Sequence, residues 1–200
     1  MSGIIAQNVG RHGGLIKAPS GGGGAWTLIS TVTASASADI SFTSGLDSTY
    51  DEYVFMFNNL HPSATAKFYV NFSTDGGSNY NVTKTTTAVQ IYHHEVTDAD
   101  TNFGYSTGGD MAEGTGGAQI GQGAATENDE SLAGHLYLFE PSSTTYAKHF
   151  IVDTVSTGSS YAYRRLHGGY GNTTSAIDAI QFSQSTGNID SGTISLYGIG

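Results

Sequence analysis

The side chains able to do chemistry in this chain are seven histidines, seventeen carboxylates and a large stock of hydroxyls, 23 serines and 24 threonines. Cysteine is absent, which removes disulfides, thiolate metal sites and thiol nucleophiles. The histidines are His12, His61, His93, His94, His135, His149 and His167, and no pair has the H-E-x-x-H spacing of a zinc protease. His93 and His94 are adjacent, so on a strand their rings point to opposite faces. His135 and His149 lie on separate strands that a sheet could bring together, which leaves a metal site there, or on an oligomer axis, open. Glu127, Asp129 and Glu130 offer glycosidase-like pairs, but their polar segment supplies nothing to raise one pKa above another, and they read as solvated. Asp98, Asp100 and Asn102 alternate as hard-cation ligands do, without the glycine and closing glutamate of a Ca²⁺ loop. There is no Gly-x-Ser-x-Gly elbow, and the glycine runs at 21–24 and 114–117 are not followed by Lys-Ser/Thr. No catalytic residue, metal ligand or cofactor is assigned, and the chain is expected not to be an enzyme. A depolymerase would need a cleft with clustered acids.

Aromatic side chains are the other resource: twelve tyrosines, nine phenylalanines and one tryptophan. Tyr69, Tyr92, Tyr105 and Tyr170 fall at outward or loop positions, where they can stack on sugars or fill a subunit interface. Interface or cross-strand packing is the preferred reading.

The elements that must position these groups are strands. Among 200 residues only 12% are charged while 28 are glycine, a profile of an all-β chain with many short turns. Alternation predicts strands over 25–33 and 67–72, the stretches 39–42 and 85–93 read as further strands, and a continuous apolar run predicts a strand buried on both faces over 52–60. Five more follow at 131–139, 147–155, 161–166, 176–182 and 192–199, with Pro141 and Gly168-Gly169 as punctuation and a possible helical turn at 174–179. The expected fold is a single jelly-roll-like β-sandwich over 26–200. Residues 98–130, poor in bulky apolar side chains, read as a long acidic polar loop facing solvent.

Residues 1–25 stand apart as an extended Gly-rich N-terminal arm, with apolar anchors Ile4, Ile5, Leu15 and Ile16, the cations Arg11 and Lys17, and a hinge at Gly21–Gly24. Ordering such an arm costs roughly 1–2 kcal/mol per residue, so it is expected to dock on a partner. The net charge is −10: the arm carries +2 and the body −12, and nine acids but no base lie between Thr85 and Ala147. That balance argues against nucleic-acid or anionic-membrane partners. The first residues lack the pattern of a secretory signal, and no apolar run approaches a membrane span, so a soluble cytoplasmic product is expected.

Several short motifs occur in order along the body: Trp26-Thr-Leu-Ile-Ser, Gly45-Leu-Asp-Ser-Thr-Tyr50, Ser73-Thr-Asp-Gly-Gly77 and Phe139-Glu-Pro-Ser142. Ala176-Ile-Asp-Ala-Ile-Gln-Phe182, Gly187-Asn-Ile189 and Ser191-Gly-Thr-Ile-Ser-Leu-Tyr-Gly198 close the series. From Trp26 to the C-terminus the chain resembles small β-sandwich virion structural proteins of tailed bacteriophages, placed on capsids as decoration (cement) proteins or in tails and fibres. The resemblance implies a subunit without an active site, made in the cytoplasm of a bacterial host and located on the virion. A compact body with a short arm and no fibrous shaft favours the capsid surface. The major capsid protein would then be the partner of the arm residues Ile4, Ile5, Arg11, Leu15, Ile16 and Lys17. Aromatic excess and sheet edges in need of cover suggest a homo-oligomer, expected as a trimer. A tail or fibre component binding host glycan is the alternative.

Overall fold

The computed structural model of the chain describes residues 25–200, and the arm residues Ile4, Ile5, Arg11, Leu15, Ile16 and Lys17 lie outside them. Thirteen strands and no helix occur among the described residues, so none is long and apolar enough to cross a membrane. They are β1 Trp26–Thr33, β2 Asp39–Phe42, β3 Glu52–Pro62, β4 Ala66–Ser73, β5 Lys84–His94, β6 Thr101–Tyr105 and β7 Met111–Gly114. β8 Ala118–Ala124, β9 Leu132–Phe139, β10 Lys148–Gly158, β11 Tyr161–Gly171, β12 Ala179–Gln184 and β13 Ile189–Ile199 complete the body.

The chain folds as the expected all-β sandwich. One sheet has nine strands in the order β1-β13-β3-β9-β10-β11-β5-β6, with β7 also paired to β5, and the other runs β2-β12-β4-β8. All the pairings are antiparallel. Alternation decides which side chains enter the core. On β4, Phe68, Val70 and Phe72 are buried while Lys67, Tyr69 and Asn71 face outward. Between the sheets Phe182 meets Phe55 and Phe57 at centroid distances of 5.3 and 5.2 Å and Phe72 meets Phe150 at 5.2 Å, while within the small sheet Phe182 meets Phe42 at 6.3 Å. Edge-to-face and tilted pairs like these contribute about 0.5–1.5 kcal/mol each beyond the area they bury.

Turns are tied by side chains. The Asp75 carboxylate accepts from Ser73 Oγ (2.7 Å) and from the Asn79 backbone N–H (2.8 Å), while Gly76 and Gly77 take positive φ. Asp178 fastens this turn to the start of β12 by accepting the Gly76 N–H at 2.9 Å. No helical turn forms over 174–179: Thr174 and Ser175 bend, Ile177 N–H donates to the Pro141 carbonyl and Asp178 N–H to that of Ser73, and β12 begins at Ala179.

The reading of 98–130 as a long polar loop is corrected, since β6, β7 and β8 lie within it. β8 joins the small sheet beside β4, and Ala118, Gln119, Ile120 and Gly121 are buried rather than solvent-facing. Its small residues are a packing requirement: a Cβ on Gly121 would come within 2.1 Å of Leu132 Cδ1, and one on Gly117 within 2.9 Å of Tyr69 Cβ. Nor do Gly168 and Gly169 break a strand, because β11 runs through them to Gly171.

Three of the five basic residues of the body are interior. Lys84 and Lys148 are fully buried, and Arg165 is 2% exposed. Lys84 Nζ donates to Asn71 Oδ1 and the Val82 carbonyl, and burial lowers its pKa to about 8. Arg165 Nη2 donates to Gln90 Oε1 (2.8 Å) and Ser106 Oγ (2.9 Å). Next to it His167 is buried, with Nε2 donating to the Gly109 carbonyl at 3.2 Å. Burial first, and the Arg165 charge second, push His167 down to about 4 from 6.5.

The unfolded chain therefore takes up a proton at His167 below about pH 6.5 that the folded chain refuses until about pH 4. This contribution to stability is complete above pH 6.5 and is lost as pH falls towards 4. The carboxylates with lowered pKa, Asp47, Asp75 and Asp153, act below that window. Urea midpoints measured between pH 7 and pH 4 should fall for the wild type. His167→Gln, which keeps a donor for the Gly109 carbonyl, should show a flatter profile; an unchanged slope would contradict the assignment.

Candidate functional site

The inner face of the nine-stranded sheet packs on the smaller sheet, so the alternate residues of its strands form an outer face. Register brings distant segments into rows across it. One row runs Leu28, Tyr197, Val54, Tyr137, Ile151, Gly168 and Thr87. The next holds Thr31, Ser195, Met56, His135, Asp153, Leu166, Val89 and Tyr105. Nine large apolar side chains are exposed among the described residues, and seven of them lie on this one face: Trp26, Leu28, Phe103, Tyr105, Ile151, Val155 and Leu166. Only Val96 and Tyr146 project elsewhere, from loops. Scattered exposed apolar residues are ordinary on a soluble protein; these seven share one face, from the β1 edge (Trp26, Leu28) through β10 and β11 (Ile151, Val155, Leu166) to the β6 edge (Phe103, Tyr105).

The aromatic residues organise that face. Trp26 meets Tyr137 edge-on at 6.3 Å and Tyr197 at 5.6 Å, and between the two tyrosines Val54 is fully buried although it points outward. Tyr137 stacks on Phe139 at 6.2 Å and meets His135 edge-on at 5.2 Å. Beside them lies an apolar trough of about 350 Å³, walled by Phe139, His149, Ile151 and Tyr170, with Thr85 and Thr87 on the far rim. Its floor is open because Gly168 carries no side chain between Ile151 and Thr87. A second hollow on the same face is lined by Gly134, His135, Asp153, Val155 and Arg164. There Arg164 Nε and Nη2 grip the Asp153 carboxylate at 3.0 and 2.6 Å and hold its pKa below the usual range.

At the lower margin, irregular pairing of β3 and β13 shapes a polar hollow of about 280 Å³ lined by Asn59, His61, Asn128, Ser131, Asp190 and Ser191. Asn59 has φ +48°, and Gly192 opposite it has φ +107°. His61 Nδ1 is 3.8 Å from the Asp190 carboxylate, while Nε2 donates to the Glu127 carbonyl at 3.1 Å. The ring nitrogen that would activate a serine in a Ser-His-Asp set is thus turned to the main chain.

The chemically capable residues of the sequence are dispersed. His135 and His149 share the outer face but sit two rows apart, His135 opposite Asp153 and His149 opposite Tyr170. Among the described residues no three His, Asp or Glu side chains group as metal ligands. His93 lies 3.5 Å from Asp98, and Asp100 accepts the Tyr161 hydroxyl at 2.6 Å. Glu130 caps its own loop, accepting from Glu127 N–H (3.3 Å) and Ser159 N–H (2.6 Å). Of the tyrosines singled out, Tyr105 and Tyr170 are on the outer face, Tyr69 lies on the small sheet, and Tyr92 packs with Tyr161 and Tyr163 at 5.6 and 5.9 Å.

Charge singles out the same face. All seventeen carboxylates belong to the body and none is buried, whereas only Lys67 and Arg164 of its five cations lie outside the interior. The two rows above contain a single acid, Asp153, and Arg164 neutralises it. No known protein family, curated protein or solved structure matches this chain.

The two trough glycines should respond oppositely to a methyl group. A Cβ on Gly168 meets only the Phe150 carbonyl, at 3.7 Å, whereas one on Gly169 would lie 2.4 Å from the Thr85 carbonyl oxygen and 2.7 Å from Thr86 Cγ2. Gly168→Ala should be neutral or stabilise by about 0.4–1 kcal/mol. Gly169→Ala should cost about 1–3 kcal/mol through overpacking. Thermal unfolding of the two variants checks the contrast.

Proposed function

We propose that this chain is a non-enzymatic structural subunit of a phage virion, a decoration (cement) protein that binds the assembled capsid shell and stabilises it. The single observation that carries the reading is the concentration of exposed apolar side chains on the outer face of the nine-stranded sheet. A rigid sandwich with one broad apolar face is suited to burying area against other subunits rather than to turning over a substrate. Ordered motifs from Trp26 to Gly198 support the virion class by resemblance. In this reading Ile4, Ile5, Arg11, Leu15, Ile16 and Lys17 dock on the major capsid protein, and the sandwich makes the contacts of a homo-oligomer. Stabilisation follows from mass action: subunits that bind only the assembled shell shift the equilibrium towards it. The surplus of surface carboxylates supports protein partners over nucleic acid or anionic membrane.

A second reading, a tail component that binds host glycan, draws on the polar hollow at the margin of the face. The amides of Asn59 and Asn128 and the hydroxyls of Ser131 and Ser191 suit a hydroxyl-rich ligand.

Quantitative mass spectrometry of purified virions separates the two. Decoration predicts a copy number equal to that of the major capsid protein or a simple fraction of it, whereas a few copies per virion would move the chain to the tail. Deleting residues 1–20 should leave a folded body that no longer binds shells, and full binding by the truncated protein would remove the arm's role.

A further inference from the structure

The chemistry of the outer face limits what could pack against it. The trough is almost wholly apolar, walled by Phe139, Ile151 and Tyr170, and offers few partners to the hydroxyls of a sugar. Charge limits the occupant further. Two bodies of net charge −12 repel one another over most of their surfaces. They can approach closely where carboxylates are fewest, and the central rows of this face hold only the neutralised Asp153.

Area is also sufficient. Eight strands side by side at about 4.8 Å spacing span roughly 34 Å, and four rows of alternate residues span roughly 25 Å, a footprint of about 850 Å². A stable pair needs about 800 Å² from each partner. Relief is the third consideration. A surface that meets its own copy about a two-fold axis needs ridges and hollows on the same patch. Here Leu28 and Ile151, 56% and 53% exposed, stand as ridges, and the glycine-floored trough beside Ile151 is the hollow.

We propose that the outer face of the nine-stranded sheet packs against the same face of a second copy of this chain, in a two-fold, sheet-on-sheet pair. The pair deepens the assembly role proposed above and rests on it. Packed sheets lie about 10 Å apart, the distance at which facing side chains interdigitate. In the pair Ile151, Leu166 and Trp26 leave water, and the acidic loops remain at the rim facing solvent.

The test is the mass of the full chain by sedimentation equilibrium over a range of concentrations. The wild type is expected at twice the 20.8 kDa chain mass. Ile151→Asp or Leu166→Asp, each placing a carboxylate at an exposed position where the fold has room for it, should return the single chain mass with an unchanged far-UV spectrum. Val96→Asp, off the face and 81% exposed, should stay paired. A wild type at single mass at every concentration overturns the pair, as does a threefold mass, which would instead fit the trimer expected from sequence. Retention of the doubled mass in both face variants overturns it as well. A monomeric chain that still binds shells would sink the pair and leave the decoration role standing; a pair that binds no shell would do the reverse.

Discussion

The structure depends on a mismatch of width: four strands must close the inner face of nine. The small sheet covers the centre, where Phe42, Phe55, Phe57, Phe182, Phe72 and Phe150 pack between the layers. The small sheet reaches the start of β5, where Lys84 meets Asn71 and Phe72 of β4, and further along β5 and β11 other groups help close the inner surface. The 106–110 turn lies over Arg165 and His167, held by Ser106 Oγ and the Gly109 carbonyl. Further along, Tyr92, Tyr161, Tyr163 and His94 cover one another edge to face. The region with the fewest bulky apolar residues in the sequence is therefore the region that completes the core. β8 fits because Ala118, Gly121 and Ala124 let the backbone approach, and Thr154 Oγ1 donates across the sheets to the Ile120 carbonyl at 2.6 Å.

Burying cations has a consequence at the surface. Lys84, Lys148 and Arg165 are stabilised by main-chain carbonyls, Asn71, Gln90 and Ser106, with no carboxylate among their hydrogen-bond partners. Lys84 also stands 5.8 Å over the Phe72 ring. Charge burial costs several kcal/mol before compensation, and here it also leaves the outside of the described body with seventeen carboxylates against two cations, Lys67 and Arg164. Such a surface keeps copies apart in solution except where the acids thin out, and the apolar rows lie there. In the proposed pair, the same arrangement that loads the interior with positive charge would direct association to this one face.

Ten of the thirteen strands were legible, some from alternation, as Phe68, Val70 and Phe72 show on β4, and others from β-prone or continuous apolar runs such as 52–60. β6, β7 and β8 carried no such signal: what matters in β8 is smallness, which in a sequence reads as loop. The outer face was illegible for a different reason. Leu28, Val54, Tyr137, Ile151 and Tyr197 become neighbours only through the strand order β1-β13-β3-β9-β10, which pairs segments up to about 170 residues apart. One local signal did exist. Gly168-Gly169 inside a β-prone stretch marks close approach or an open floor as readily as a break, and here it is both.

The motifs that give the chain its family resemblance are mostly devices of the fold. Asp75-Gly76-Gly77 is the turn after β4, and Asp178 is its fastener. Asp47 holds the Tyr53 hydroxyl, which donates to the Asp47 carbonyl at 2.9 Å, and Gly198 lies flat under the Tyr50 ring, leaving no space for a side chain. Residues of this kind fix where strands begin and how sheets meet, so they specify a sandwich and leave its partner open. Among them Trp26, Leu28, Phe139 and Tyr197 differ, since each also reaches the outer face. The segments between motifs supply the rest of that surface: Ile151, Val155, Leu166, Tyr105 and Phe103. Partner choice in such a protein can therefore change through those intervening positions while the turn chemistry, and with it the fold, stays as it is.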